Sequence, residues 1–448
     1  MTLPKETRAR KRITGNIVVR TATSQSAAIL RLVAEQVGGR PIPTFDLKQT
    51  FVALRYPNYR LWFIGQLISL VGTWMQATAQ GYLVFELTRS PVYLGYVAFA
   101  TGLPSWVFML YGGVIADRIP RRRMLLVAQT TMMSLAFVLA GLTFTGLIRP
   151  WHILLLALGL GLANAFDAPA RQAFVPEMVE PVDLGNAIAL NSTMFNMATV
   201  AGPAVGGLVY ALVGPAWCFI INGLSFLGVI GALLLMRLKP FVPRQRRSAA
   251  LADLQEGLRY IGSQQAIRTL IIVAGFVSLF GLTYMTLLPA WAVTVLGGDA
   301  RTNGWLQAAR GFGALLGALM VAALGRFRFK GKLLTLGMFV FPILLLLFAD
   351  VRWLPLSLLL LVGTGWGFMI LFNMTNTLIQ TLVPDELRGR VVSVYILGFF
   401  GLNPLGALLA GGVAEFIGEP LTIFGCGLIC LVFAGLVWLR APILRTLE

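Results

Sequence analysis

Histidine is nearly missing from this sequence: His152 stands alone, which leaves no set of imidazoles to hold a metal or relay a proton. Cys218, Cys426 and Cys430 fall inside apolar runs, without the paired spacing of a zinc or thiol–disulfide motif, and read as small apolar side chains. No Gly-x-x-x-x-Gly-Lys-[Ser/Thr] loop occurs, so ATP is excluded as a direct energy source. No convergent polar set of the kind an enzyme needs can be assembled. The chain is therefore read as a non-enzyme, with no catalytic residue, no metal and no cofactor. The basic N-terminal stretch around Arg8, Arg10, Lys11 and Arg12 lacks a compact apolar segment before a small-residue cleavage site, and reads as a cytosolic tail rather than a cleaved signal peptide.

Charge is scarce too. Only 12% of residues are charged against 57% hydrophobic, which excludes a soluble domain and leaves a membrane protein. Crossing ~30 Å of hydrocarbon at about 1.5 Å per residue takes about 20 residues. Twelve apolar runs reach that length, from Trp62–Phe85 to Leu421–Leu439. Among them are Thr269–Val295, Trp305–Leu324 and Val391–Ile417. With both termini cytoplasmic, the outer loops hold only Arg89, Arg149, Arg301 and Arg352, and the other bases outside the spans fall on the inner side, as the positive-inside rule requires. The net charge of +18 is then topology and attraction to anionic lipid, with no nucleic-acid partner. The expected location is the plasma membrane, multi-pass.

The chain also repeats itself. "RQAFVPE" (Arg171–Glu177) returns as "IQTLVPD" (Ile379–Asp385), and "ADRIPRRRMLL" (Ala116–Leu126) aligns at the same offset with "LGRFRFKGKLL" (Leu324–Leu334). Such internal symmetry marks many transporter folds. The expected organisation is a basic tail over 1–61, a six-helix half over 62–237, a cytosolic linker over 238–268, a second six-helix half over 269–440 and a cytosolic C-terminus over 441–448. Within the linker, Leu251, Leu254, Leu258 and Ile261 form one apolar stripe at helical spacing, suited to the inner membrane surface.

"GVIADRIPRR" (Gly113–Arg122) resembles the Gly-x-x-x-Asp-Arg-x-Gly-Arg-Arg signature of the major facilitator superfamily, with Pro120 at the second Gly and Gly325 where the second copy would have Asp. "LVFELTRSP" (Leu83–Pro91), "GLANAFDAPARQAFVPE" (Gly161–Glu177) and "LVPDELRGRVVSVY" (Leu382–Tyr395) are similar to its enterobactin-exporter branch. The resemblance covers about residues 45–440 and implies an all-α membrane protein: twelve transmembrane helices in two pseudo-symmetric six-helix halves. It further implies a secondary transporter, read as a monomeric proton-coupled exporter of a siderophore or drug-like small molecule by alternating access, surrounded by membrane lipids. The alternatives are a lysophospholipid or glycolipid flippase of the same fold and a non-transporting receptor or scaffold.

Three sets of residues carry the expected mechanism. Gating falls to Gly113, Asp117, Arg118, Arg121, Arg122, Arg123, Arg388 and Arg390. Asp117 is placed to meet the positive N–H groups at the start of helix 11 near Arg390–Ser393. The arginines can pair with Glu177, Asp385 or Glu386. "VAGPAVGG" (Val200–Gly207) resembles the antiporter motif of the superfamily, with Gly202, Gly206 and Gly207 admitting a close neighbour and Pro203 bending the helix, against a small-residue helix 8. Asp167, Arg171, Arg310 and Glu86 are the coupling and cavity candidates, because charges at membrane depth are costly and functional by default. The resemblance places Asp167 toward the central cavity or the inner gate. Trp74, Met75, Tyr82, Trp291, Trp366, Phe372 and Asn373 are candidate cavity groups.

Overall fold

The computed structural model describes residues 51–238, 250–324 and 329–447. Most of the basic tail and the loop with Arg326 and Arg328 lie outside the described residues. The helices are α1 (Pro57–Thr88), α2 (Pro91–Arg118), α3 (Arg121–Phe144), α4 (Pro150–Phe174), α5 (Leu184–Val213) and α6 (Pro215–Leu235). A linker helix, α7 (Ala250–Ser263), precedes α8 (Gln265–Phe276), α9 (Tyr284–Thr294), α10 (Ala300–Leu324), α11 (Lys330–Asp350), α12 (Leu354–Leu382) and α13 (Asp385–Arg440). No strand occurs among the described residues.

Prolines at the first position open α1, α2, α4 and α6, where a missing N–H costs nothing. The same break ends the fifth helix of each half: Gly214 (φ 93°) before Pro215, and Gly418 (φ 81°) before Pro420 inside α13. Positive φ is open to glycine without a Cβ penalty, so both halves reverse at the same place. The seventh span, by contrast, is not continuous. A π-turn, Val277–Gly281, separates α8 from α9, and the Ser278 hydroxyl donates to the Phe399 carbonyl of α13. Counting α8 and α9 as one span and α13 as two, the fold has twelve.

The halves meet along two related seams, α5 against α10 and α2 against α13. Each is built from glycine. A Cβ at Gly207 would lie 2.6 Å from the Ala300 carbonyl oxygen, and one at Gly304 would lie 2.7 Å from that of Pro203. In the other seam, a Cβ at Gly95 would lie 2.9 Å from the Ala407 carbonyl oxygen, and one at Gly411 would lie 2.8 Å from that of Pro91. Gly95 and Gly102 of α2 recur as Gly304 and Gly311 of α10 at one constant offset, which is the repeat expressed as packing.

The antiporter-type motif therefore serves two neighbours, which corrects the expectation that it forms one seam with helix 8. Gly202 and Gly206 seat α1, at Val71 and Met75, and of the three motif glycines only Gly207 meets α10. Pro203 contributes its carbonyl to Gly304.

A side chain at Gly207 must displace backbone, at a cost of about 1–3 kcal/mol. Gly207→Leu is expected to reach the membrane and to transport at least about tenfold more slowly. Gly231→Ala, on α6 with nothing within 4 Å of the new methyl, is the control and should match wild type. Equal flux in the two variants would contradict a seam dependent on close approach.

Candidate functional site

The face carrying the basic loops and the opposite face are held differently. Among the described residues, hydrogen bonds joining the halves lie on the opposite face. There the Ser90 hydroxyl donates to Glu415 Oε2 at 2.6 Å, and the Val92 N–H points at the same oxygen at 3.4 Å. Ser90 is the N-cap of α2, so Glu415 of α13 supplies an anion to a helix N-terminus across the seam. At the other seam, the Asn303 amide donates to the Thr78 carbonyl of α1 at 3.4 Å. A cluster of Met75, Ala79 and Leu83 with Ala290 and Ala300 closes the same end. On the basic side, α4 and α12 make their substantial contacts within their own halves. The molecule is thus closed on the face opposite the basic loops. Glu415 was missed in the sequence; its signal was an acid close to the turn at Gly418, facing a proline-led helix start.

The described contacts of Arg121, Arg122 and Arg388 are ties within their own halves. Arg121 pairs with Glu177, and Arg122 donates to the carbonyls of Leu234 at 2.9 Å and Met236 at 3.5 Å, at the end of α6. Arg388 does the same for α12, donating to Gln380 O at 2.9 Å and Val383 O at 3.5 Å, and pairs with Asp385 at 2.5 Å. These are cations on orphan carbonyls at helix C-termini. Arg390 pairs with Glu256 of the linker helix at 2.6 Å, so α7 docks on α13. Ile261 of its apolar stripe is buried in the second half and Leu258 is exposed; the side chains of Leu251 and Leu254 lie outside the described residues. Arg123 is exposed.

Gly113, Asp117 and Arg118 stand on the last two turns of α2, and the side chains of Asp117 and Arg118 lie outside the described residues. One premise for Asp117 is corrected. The eleventh span starts at Asp385, and the N–H groups of Leu387 and Arg388 already reach the Pro384 carbonyl, so Arg390–Ser393 lies beyond the N-terminal turn and offers no orphan donors.

Asp167 is buried between α3 and α4. Its Oδ1 accepts from Gln129 Nε2 at 2.8 Å and its Oδ2 lies 3.1 Å from Arg171 Nη2. The carboxylate therefore faces α3 rather than a central cavity. Gln129, a buried amide on an otherwise apolar helix, is the partner that sequence reasoning missed. Glu86 accepts from Tyr210 of α5, whose ring meets Tyr82 edge-on at 5.0 Å. His152 caps α4 by accepting from the Arg149 N–H at 3.1 Å.

Several cavity candidates are packing groups. Met75 lies under Gly206, Trp291 is buried and stacked on Phe348 at 4.6 Å, and Trp74 meets Phe195 edge-on. Phe372 sits with Phe368, Tyr395 and Phe399 around a void of about 10 Å³, no larger than one water needs.

Residues 48–447 match the family described as transmembrane secretion effector. The chain belongs to the major facilitator superfamily. It is 28% identical over 387 residues to the multidrug efflux pump Tap of Mycolicibacterium fortuitum, covering 84% of this chain and 94% of that protein. It is 23% identical over 378 residues to the staphyloferrin A transporter of Staphylococcus aureus, covering 83% and 94%. The enterobactin exporter EntS of Escherichia coli is 26% identical over 371 residues, covering 81% and 86%. In fold, the nucleoside transporter NupG superposes with a TM-score of 0.69 over 85% of this chain and 99% of its own, at 13% identity. An inward-facing bacterial homologue of the human lysosomal transporter Spinster gives 0.67 over 90% and 98%, at 16% identity. This member of the superfamily is a secondary transporter, and its repeat, its seams and its closure on the face opposite the basic loops are the parts such a transporter needs.

The Glu415 contact is worth about 0.3–1 kcal/mol at an exposed helix N-terminus. Glu415→Gln should shift the population open on the opposite face by about two- to fivefold. The readout is the rate at which an impermeant maleimide labels a Val293→Cys variant lacking the native cysteines. An unchanged rate would show that Glu415 does not hold the closure.

Proposed function

We propose that the chain exports a small organic molecule, of the siderophore or drug-like kind named for its relatives, out of the cytoplasm in exchange for protons, as a monomer with both termini inside. The observation that carries this reading is the closure of two pseudo-symmetric halves on the face opposite the basic loops, along seams of glycine on which they can rock. The basic loops support placing the open face toward the cytoplasm. Asp167 is the proposed coupling group: a buried acid whose cationic partner, Arg171, keeps its side chain 29% exposed. Motion of α4 against α3 would part the carboxylate from Gln129 and leave it with Arg171, which stands on the same helix.

The test is flux of carboxyfluorescein, as probe, into inverted vesicles with an imposed pH gradient. Gradient-dependent accumulation, abolished by a protonophore, is expected. Asp167→Asn should lose accumulation and keep exchange, whereas Asp167→Arg with Arg171→Asp should fail in both if the acid must occupy one position. No flux under any gradient would overturn the transport reading for this probe class, and accumulation indifferent to pH would overturn proton coupling alone. Full accumulation by Asp167→Asn would leave Asp167 structural and turn attention to Glu86.

A further inference from the structure

Among the described residues, Arg310 has no partner for its charge. It is 7% exposed, and its Nε and Nη2 make no hydrogen bond. Because α10 begins at Ala300 rather than Trp305, Arg310 lies ten residues in, at about 15 Å, near the middle of ~30 Å of hydrocarbon rather than ~10 Å from its edge. Its one described electrostatic neighbour is Tyr284 of α9, an uncharged phenol. A buried, uncompensated cation costs several kcal/mol, and a fold under no other demand would pair it or replace it.

The direction of the side chain follows from its neighbours on the helix. Gly304 and Gly311 turn toward α5, and Gly313 and Gly317 toward α12, at Val362 and Trp366. At 100° per residue, Arg310 falls on the arc between these two faces, together with Asn303, two turns away. Asn303 is the residue that reaches Thr78 of α1 in the other half. Arg310 therefore lies on the arc of α10 that also reaches the other half, with Tyr284 of α9 and Gly365 of α12 as its described neighbours. Separation of α1 and α10 on the opposite face would uncover that arc.

From this placement we infer that Arg310 is the recognition group for an oxyanion carried by the transported molecule, a carboxylate or a group of like shape. The guanidinium offers paired N–H donors in a planar fork, and Nε and Nη2, the two atoms left without partners, form one side of that fork. The substrate class is thus an organic anion whose charged group docks at mid-membrane on the second half. The inference deepens the transport reading and rests on it only for how the site becomes accessible.

The test uses purified full-length protein in nanodiscs, with 2-naphthoate as the anionic probe and 2-naphthamide and 2-naphthylmethylammonium as matched neutral and cationic probes, binding being read by calorimetry. Wild type should bind the carboxylate at least about tenfold tighter than the amide, as a charge-assisted bidentate contact predicts. Arg310→Gln should bind the two alike, and Arg310→Lys should keep part of the preference. Arg310→Gln should also melt no lower than wild type, because the group removed has no partner to lose. Equal binding of the three probes by wild type, tighter binding of the ammonium, or a preference that survives Arg310→Gln would overturn the assignment, as would a lowered melting temperature in both variants. Carboxylate preference without flux of any probe would sustain the site and refute transport; flux without that preference would do the reverse.

Discussion

Everything else in this molecule depends on how closely two pairs of helices approach across the interface between the halves. Lipid tails are as apolar as leucine, so helices in a bilayer gain little from hiding apolar surface and much from close contact. Glycine is the residue that permits it, and here glycines of α2 and α10 meet carbonyls of α13 and α5 at separations that no larger residue allows. Because the halves are joined along these seams, and share an apolar cluster at the closed end, each can keep its own packing while the pair rocks. The large buried cluster of the second half lies within that half, and a separate cluster around Trp62 and Phe174 lies within the first.

Charge is then used at the ends of helices, where it is cheapest and most specific. Arg122 and Arg388 serve equivalent roles, capping the final carbonyls of α6 and α12, while Glu415 answers the N-terminus of α2. Arg121 with Glu177 and Arg390 with Glu256 tie loops and linker to the helices they flank. Inside the bilayer the pattern changes. Asp167 is matched by Arg171 and Gln129, and Gln76 by Asn222, which donates to it at 2.7 Å. Arg310 breaks that pattern, and the break is what separates a group kept for a ligand from groups kept for the fold.

Much of the fold was legible because length and hydropathy fix a span, and because the repeat from Arg171 to Ile379 is a statement about symmetry. The π-turn at Val277–Gly281 was not, since its residues are as apolar as the rest of the span and its hydrogen bond from Ser278 to Phe399 is a tertiary contact. The start of α13 was misplaced for a local reason: "DELRGR" reads as a charged loop, yet after Pro384 it makes a good first helical turn with acids at its N-terminus. In the site, charged residues could be picked out one by one, but their partners could not. Gln129, Glu256 and Glu415 are ordinary until the topology brings them to Asp167, Arg390 and Ser90. The glycines of α5 were recognised as a close-packing device, but which of them faced α1 and which α10 depended on the helix's rotation.

The central claim is reciprocal motion of the halves, and spin-label distances test it most directly. One pair of labels would sit on the basic face at Val182 and Leu382, and another on the opposite face at Leu147 and Trp353, all exposed positions in different halves. On imposing a pH gradient with a transported probe, the basic-face distance should shorten while the opposite-face distance lengthens in the same molecules. Distances that stay fixed, or that change in the same sense at both faces, would contradict rocking about the two glycine seams.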